Sequence, residues 1–227
     1  MSPAKAKVRT SKPILILLYG FPGAGKTYFA RNLSEHLDCA HVHSDRIRHE
    51  LFEEPRFDTQ EDGIIKHLMN YMTEEFLSAD VNVVYDANAA RKSERHALRE
   101  LARKKGVKTL LVWFQVDADS AFQRLNKRDR RKSDDKFAVD YTQEDFRRYA
   151  SRMQHPEPTE EYVVVSGKHT FNSQKAAIFK KLMEMGLIET ATAQTKFAKP
   201  GLVNLVPSQQ KFHTGRFDST RRNINIR

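Results

Sequence analysis

The chain predicts an α/β fold built on a parallel sheet. Short apolar runs alternate with segments of helical periodicity, the pattern of strands joined by crossover helices. The first run, Ile14-Leu15-Ile16-Leu17-Leu18-Tyr19, passes directly into a glycine-rich stretch. A length of 227 residues suits one such domain with extensions and can bury a core without staples.

The elements follow in order. Residues 13–19 read as the first strand. Residues 26–37 form a helix, with Phe29, Ala30, Leu33 and Leu37 at helical spacing. A short second strand covers 40–43, and a helix at 45–52 follows, interrupted by Pro55. Thr59 opens a longer helix with Asp62 three residues on, in the manner of a capping box. Its apolar face is Ile64, Ile65, Leu68, Met69, Met72, Phe76 and Leu77. The third strand is 81–85, and a charged helix covers 93–105 and ends at Gly106. The fourth strand is 107–116, followed by a helix over 119–128 and a charged, structure-poor stretch to 140. Thr142 with Asp145 starts a helix to about 153, Pro156 and Pro158 break the chain, and 162–165 is the fifth strand. A closing helix at 173–185 ends at Gly186. Periodicity then fades, and the last stretch is expected to be irregular. The expected domains are a basic extension at 1–12, a body at 13–186 and a basic extension at 187–227.

The glycine-rich stretch is a complete Walker A loop: Gly20, Phe21, Pro22, Gly23, Ala24, Gly25, Lys26 and Thr27. Backbone N–H groups of such a loop form a nest for phosphate oxygens, and the following helix adds its positive end. Lys26 is expected to reach the β- and γ-phosphates and Thr27 to ligate Mg²⁺. The strand before and the helix after supply the context the motif demands, so the sheet is expected to be five-stranded and of the P-loop NTPase type.

Ligands of such sheets gather at the carboxyl ends of the strands. After the second strand comes Asp45, placed to take a proton from an attacking hydroxyl; capping the following helix is its other reading. Arg48, one turn on, suits an anionic group of the substrate. His41, His43 and Asp45 alternate, a weak signal for a metal. After the third strand, Asp86 fits a position that holds Mg²⁺, with Asn88 and Arg91 lining an acceptor cleft. Beyond the fourth strand lie Arg124 and Arg128, four apart, and then Arg131. A lid arginine among them suits the charge of a transferring phosphoryl group; a solvated charged loop is the alternative. Residues 166–170 either border the nucleotide base or form a plain turn.

Charge is uneven. Of the net +10, residues 1–12 carry +4, residues 187–227 carry +5, and the body between carries +1. Basic ends attract nucleic acid or serve solubility. The single cysteine, Cys39, excludes a disulfide framework and is expected to be a small apolar residue. The N-terminal apolar run is too short for a signal peptide or membrane span, so a cytoplasmic protein without membrane partners is expected.

Together these residues resemble the P-loop kinase family that includes bacteriophage polynucleotide 5′-hydroxyl kinase, and more distantly zeta-toxin and chloramphenicol phosphotransferase, among AAA family ATP-binding proteins. The marks are Gly20–Thr27, the Asp45/Arg48 pair, Asp86-Ala87-Asn88 with Arg91 and Arg95, and the lid arginines. The resemblance spans 13–186 and implies a kinase-type fold with a mobile lid at about 128–141. It implies ATP and Mg²⁺, with γ-phosphate transfer to a hydroxyl of a nucleic-acid 5′ end or a small metabolite. In it Asp45 is the general base, Arg48 the acceptor contact and Arg124 or Arg128 the lid arginine. Ala87 departs from the Thr often found there, and no phosphatase domain accompanies the match. A switch ATPase and a non-catalytic nucleotide or nucleic-acid binder are the other readings. The sequence leaves the acceptor and the oligomeric state open.

Overall fold

The computed structural model describes residues 7–128 and 136–189. Five strands form one parallel sheet in the order β2-β3-β1-β4-β5. They are β1 (Ile14–Tyr19), β2 (Cys39–His43), β3 (Asn82–Asn88), β4 (Lys108–Gln115) and β5 (Tyr162–Ser166). The helices are α1 (Lys26–Ser34), α2 (Ser44–Leu51), α3 (Thr59–Ser78), α4 (Lys92–Lys104), α5 (Ala118–Asn126), α6 (Gln143–Ser151) and α7 (Phe171–Glu184). The expected architecture, a P-loop kinase-type α/β fold with helices flanking a five-stranded parallel sheet, is the one observed.

β1 lies at the centre and every residue in it is buried, as expected for a parallel strand covered on both faces. Alternation divides its side chains. Leu15, Leu17 and Tyr19 join Val83, Tyr85, Ile65, Met69, Leu98 and Ala102 in the core under α3 and α4. On the opposite face Phe29 of α1 meets Phe114 of β4 at 5.2 Å and Phe171 of α7 at 5.8 Å between ring centroids. Aromatic packing thus backs α1, the helix that follows the glycine-rich loop.

Three boundaries differ from the sequence reading. The cap of α3 is Asp58, whose carboxylate accepts from the Glu61 N–H, rather than Thr59, which is already helical. Ile64, expected on the apolar face, is 45 % exposed, and Thr73 takes a buried place instead. β3 runs on to Asn88 because its register against β1 shifts between Leu17 and Leu18, so Asp86 and Ala87 continue the strand. α5 stops at Asn126, so Arg128 lies beyond the helix instead of one turn along it. The first expected extension is partly tied down: Val8 is buried, Thr10 donates to the Asn82 side chain at 2.8 Å, and the Ser11 N–H donates to the Leu187 carbonyl at 2.8 Å. Cys39 is partly buried, and burial pushes its thiol up to about 12.

The most deeply buried charge is Arg95 of α4, 0 % exposed. Its guanidinium makes a bidentate pair with Glu160, Nε to Oε2 at 2.7 Å and Nη2 to Oε1 at 3.0 Å. It also donates to the carbonyls of Ala89 and Gln154 at 3.0 Å each and of His155 at 3.2 Å. One side chain thus fastens the β3–α4 turn to the segment between α6 and β5. Cutting it leaves the buried Glu160 with the more distant Arg99 guanidinium, 3.7 Å away, and removes the bonds to three carbonyls. Arg95→Ala is expected to lower stability by about 3–5 kcal/mol in urea unfolding, the range for breaking one partner of a buried ion pair. A loss near zero would remove Arg95 as the fastener.

Candidate active site

The Walker loop is shaped by two glycines in particular. Gly25 caps α1 with φ 93° and ψ 19°, a left-handed conformation that a side chain would strain. Gly23, at φ 83°, passes so close to α5 that a Cβ would meet the Ala121 carbonyl oxygen at 2.3 Å. The loop is therefore held against the helix that carries Arg124. Lys26 folds back over it, donating to the Gly20 and Phe21 carbonyls at 2.9 Å each. Burial lowers its ammonium to about 8, with Asp86 and Asp45 opposing and Arg128 assisting.

A cavity of about 720 Å³ opens beside the loop. Pro22, Gly23, Gly25, Lys26 and Thr27 form one end, and Asp45, Arg48, Asp86 and Asn88 line it further along. Arg124 and Arg128 border it from the α5 side. These two arginines are fixed by backbone carbonyls, Arg124 by Gly167 at 2.8 Å and Arg128 by Val139 at 3.3 Å. Gly20 and Phe21 face a second cavity, and Ala24 is buried behind the loop. Arg91 is exposed and is not among the cavity's lining residues. Arg131 lies outside the described residues.

Asp45 sits in the first turn of α2, and His43, with extended backbone, occupies the cap position. Burial raises its carboxyl above the ordinary value; Asp86 adds to this, while His43, Ser44 and Arg48 oppose it. A carboxyl so placed is poised nearer neutrality, as a general base requires. Asp86 goes the other way. Burial raises it, but the His41 hydrogen bond and the neighbouring His43, His41 and Lys26 hold it below the ordinary carboxylate value. Its Oδ1 accepts from the Thr27 hydroxyl at 3.4 Å. A hydroxyl and an ionised carboxylate side by side form a hard-oxygen pair that suits Mg²⁺.

Two predicted residues have partners that sequence did not disclose. Arg48 is 6 % exposed; it donates to Glu61 at 2.9 Å, pairs with Asp62 and stacks over Phe57 with 4.9 Å to the ring centroid. Glu61 completes this clamp. Burial opposes its ionisation, but N–H bonds from Arg56 and Phe57 and the Arg48 and Arg56 guanidiniums bring it down to about 2. Asn88 bonds Gly20 twice, accepting from its N–H at 3.2 Å and donating to its carbonyl at 2.9 Å. It also donates to the Tyr149 hydroxyl of α6 at 2.8 Å.

The apolar and aromatic part of the cavity wall was missed by sequence reading. Phe57, Ile65, Met69, Leu98, Tyr141 and Tyr149 form it, with Glu94 and Lys66 as polar groups. Burial raises the Tyr141 and Tyr149 phenols, so both stay protonated donors. Only the apolar periodicity of α3, which places Ile65 and Met69 on one face, signals part of this wall.

Among the described residues no helix is long and apolar enough to cross a membrane. No curated protein matches the sequence. Solved structures do resemble the fold. A gluconokinase from Sinorhizobium meliloti matches at 15 % identity and TM-score 0.56, covering 82 % of this chain and 99 % of that one. Kti12 of Chaetomium thermophilum in complex with ADP-AlF3 matches at 14 % and 0.57, covering 75 % and 97 %. The APS kinase of Mycobacterium tuberculosis in complex with AMPPNP and APS matches at 15 % and 0.56, covering 76 % and 98 %. At such identities the likeness speaks for the fold. Residues 15–156 match the AAA domain family, and the chain belongs to that family.

Proposed function

We propose that the protein is an ATP-dependent kinase that transfers the γ-phosphate to a hydroxyl of a compact acceptor with an apolar or ring-like face. The observation that carries this reading is that Lys26 and Asp45 line one cavity whose wall also includes Phe57, Ile65, Met69, Leu98, Tyr141 and Tyr149. The structural neighbours include kinases of small acceptors, which agrees with the reading without identifying the acceptor.

In this reading the Walker loop N–H groups and Lys26 hold the β- and γ-phosphates. Thr27 and Asp86 are the residues that hold Mg²⁺, which when bound neutralises charge on the phosphate oxygens. Asp45 accepts the proton of the attacking hydroxyl. Arg124 and Arg128 face the charge that develops on the transferring group. Arg48 shapes the acceptor chamber: with Glu61 and Asp62 on its guanidinium, it acts as a spacer with little net charge to offer. An uncharged hydroxyl compound fits that balance better than a phosphorylated one. Asn88 holds the start of the Walker loop, and Arg91, which does not line the cavity, caps α4 and has no acceptor role in this reading.

Two outcomes test the proposal. Asp45→Asn is expected to keep ATP affinity and lose about 10²–10⁴-fold in acceptor phosphorylation, measured with γ-labelled ATP against nucleosides, sugars and 5′-hydroxyl oligonucleotides. Transfer to oligonucleotides alone would replace the compact acceptor by a nucleic-acid end; equal transfer by wild type and variant would remove Asp45 as the base. The second outcome concerns pH. Lys26 is charged below about 8 and loses its proton above it, so the charge that attracts phosphate is present at neutral pH and fades on the alkaline side. ATP affinity of the free protein, measured by calorimetry, is expected to weaken as pH rises through 8, by up to about tenfold per unit. Affinity that does not change as pH rises from neutrality through 8 would contradict the role given to Lys26.

A further inference from the structure

Asp86 presents its two carboxylate oxygens to different neighbours. Oδ1 faces Thr27, as the Mg²⁺ reading requires. Oδ2 faces away from the hydroxyl, toward a pair of imidazoles on the edge strand β2. His41 and His43 are two residues apart, so both side chains leave the strand on one face. Their rings stack with centroids 5.4 Å apart and planes 11° from parallel. His41 Nε2 lies 2.8 Å from Oδ2 and His43 Nε2 lies 3.8 Å from it. The two imidazole nitrogens and the carboxylate oxygen all fall within 4.8 Å of one another. The side chains are 19 % and 11 % exposed for the histidines and 4 % for Asp86, so the group is sheltered but reachable.

We propose that His41, His43 and Asp86 form a binding site for one divalent transition-metal ion of the zinc and cobalt class, held by the two Nε2 atoms and Oδ2. The spacing suits such an ion. Bonds of about 2.0–2.2 Å at tetrahedral angles place neighbouring ligand atoms about 3.3 Å apart. The two distances from Oδ2, 2.8 and 3.8 Å, straddle that value, and the two rings must turn out of their stacked arrangement to aim both nitrogens at one ion. The donor set discriminates between metals. Imidazole nitrogen favours zinc, cobalt, nickel or copper, whereas Mg²⁺ prefers oxygens and keeps its waters. Asp86 then serves as a bridge, with a nitrogen-liking ion on Oδ2 and the nucleotide's hard ion on Oδ1. Asp45, whose Oδ2 lies 4.0 Å from His43 Nε2, stands beside the site. The competing account is that His41 only orients Asp86 by its hydrogen bond. That account calls for no ion at all when nucleotide is absent.

The test therefore omits ATP, so its result is independent of the kinase reading. The chelator-treated full chain is titrated with Co²⁺ and followed by ligand-field absorption. One equivalent is expected to bind, to be displaced by Zn²⁺, and to resist an excess of Mg²⁺. The His41→Gln/His43→Gln double variant, checked by circular dichroism, is expected to bind Co²⁺ at least about tenfold more weakly. Cu²⁺ bound to the wild type, read by electron paramagnetic resonance, is expected to show coupling to two imidazole nitrogens, which needs no variant to fold. Absence of a one-to-one cobalt signal, retention of that signal in the folded double variant, or copper spectra without two nitrogens would each overturn the proposal.

Discussion

The amide of Asn88 on Gly20 is the contact on which the rest of the site depends. It accepts from the Gly20 N–H at 3.2 Å and donates to the Gly20 carbonyl at 2.9 Å, imitating one more strand pair at the end of the β1–β3 ladder. Each bond is worth only about 1 kcal/mol in net stability, but the pair fixes where the Walker loop leaves the sheet. The same carbonyl accepts from Lys26 at 2.9 Å, so strand end, loop and lysine meet at one oxygen. Through Tyr149 the amide also reaches α6, which contributes to the cavity wall. One side chain therefore ties the start of the Walker loop to a tyrosine of the cavity wall.

Around that anchor the charges are sorted by burial and pairing. Asp86 lies close enough to raise the cost of ionising Asp45, and their environments push the two apart: Asp86 is held low by histidines and lysine, Asp45 is pushed up by burial. Two carboxyls divided in this way are suited to different tasks, one to a cation and one to a proton. Arg48 shows the opposite case. A cation that sequence alone offers to an anionic substrate is already engaged by Glu61 and Asp62. That pairing offsets the charge Arg48 brings to the cavity wall.

The fold was legible because its signals are local. The apolar run of β1, the Gly20–Thr27 spacing and the Gly106 and Gly186 stops each act within a few residues. Asp45 and Asp86 were legible because strand ends select them. What remained hidden depends on register and on distant partners. Glu61 closes on Arg48 from thirteen positions away, where no helical spacing connects them. The β-bulge after Leu17 carries Asn88 beyond the expected strand end and onto Gly20. Which oxygen of Asp86 meets His41 follows from the parallel pairing of β2 with β3, and that pairing leaves no mark in either strand's sequence. Arg91 illustrates the same limit, since a cleft residue and a helix-start residue look alike in sequence.

The central claim is that donor loop and acceptor chamber share one cavity with Asp45 between them. The most direct measurement is a crystal structure of the full chain with Mg²⁺ and a non-hydrolysable ATP analogue. The account predicts the triphosphate in the Walker loop with its terminal phosphate directed at Asp45 and into the chamber walled by Tyr141 and Tyr149. A terminal phosphate turned away from Asp45, toward the second cavity beside Trp113 and His155, would contradict it.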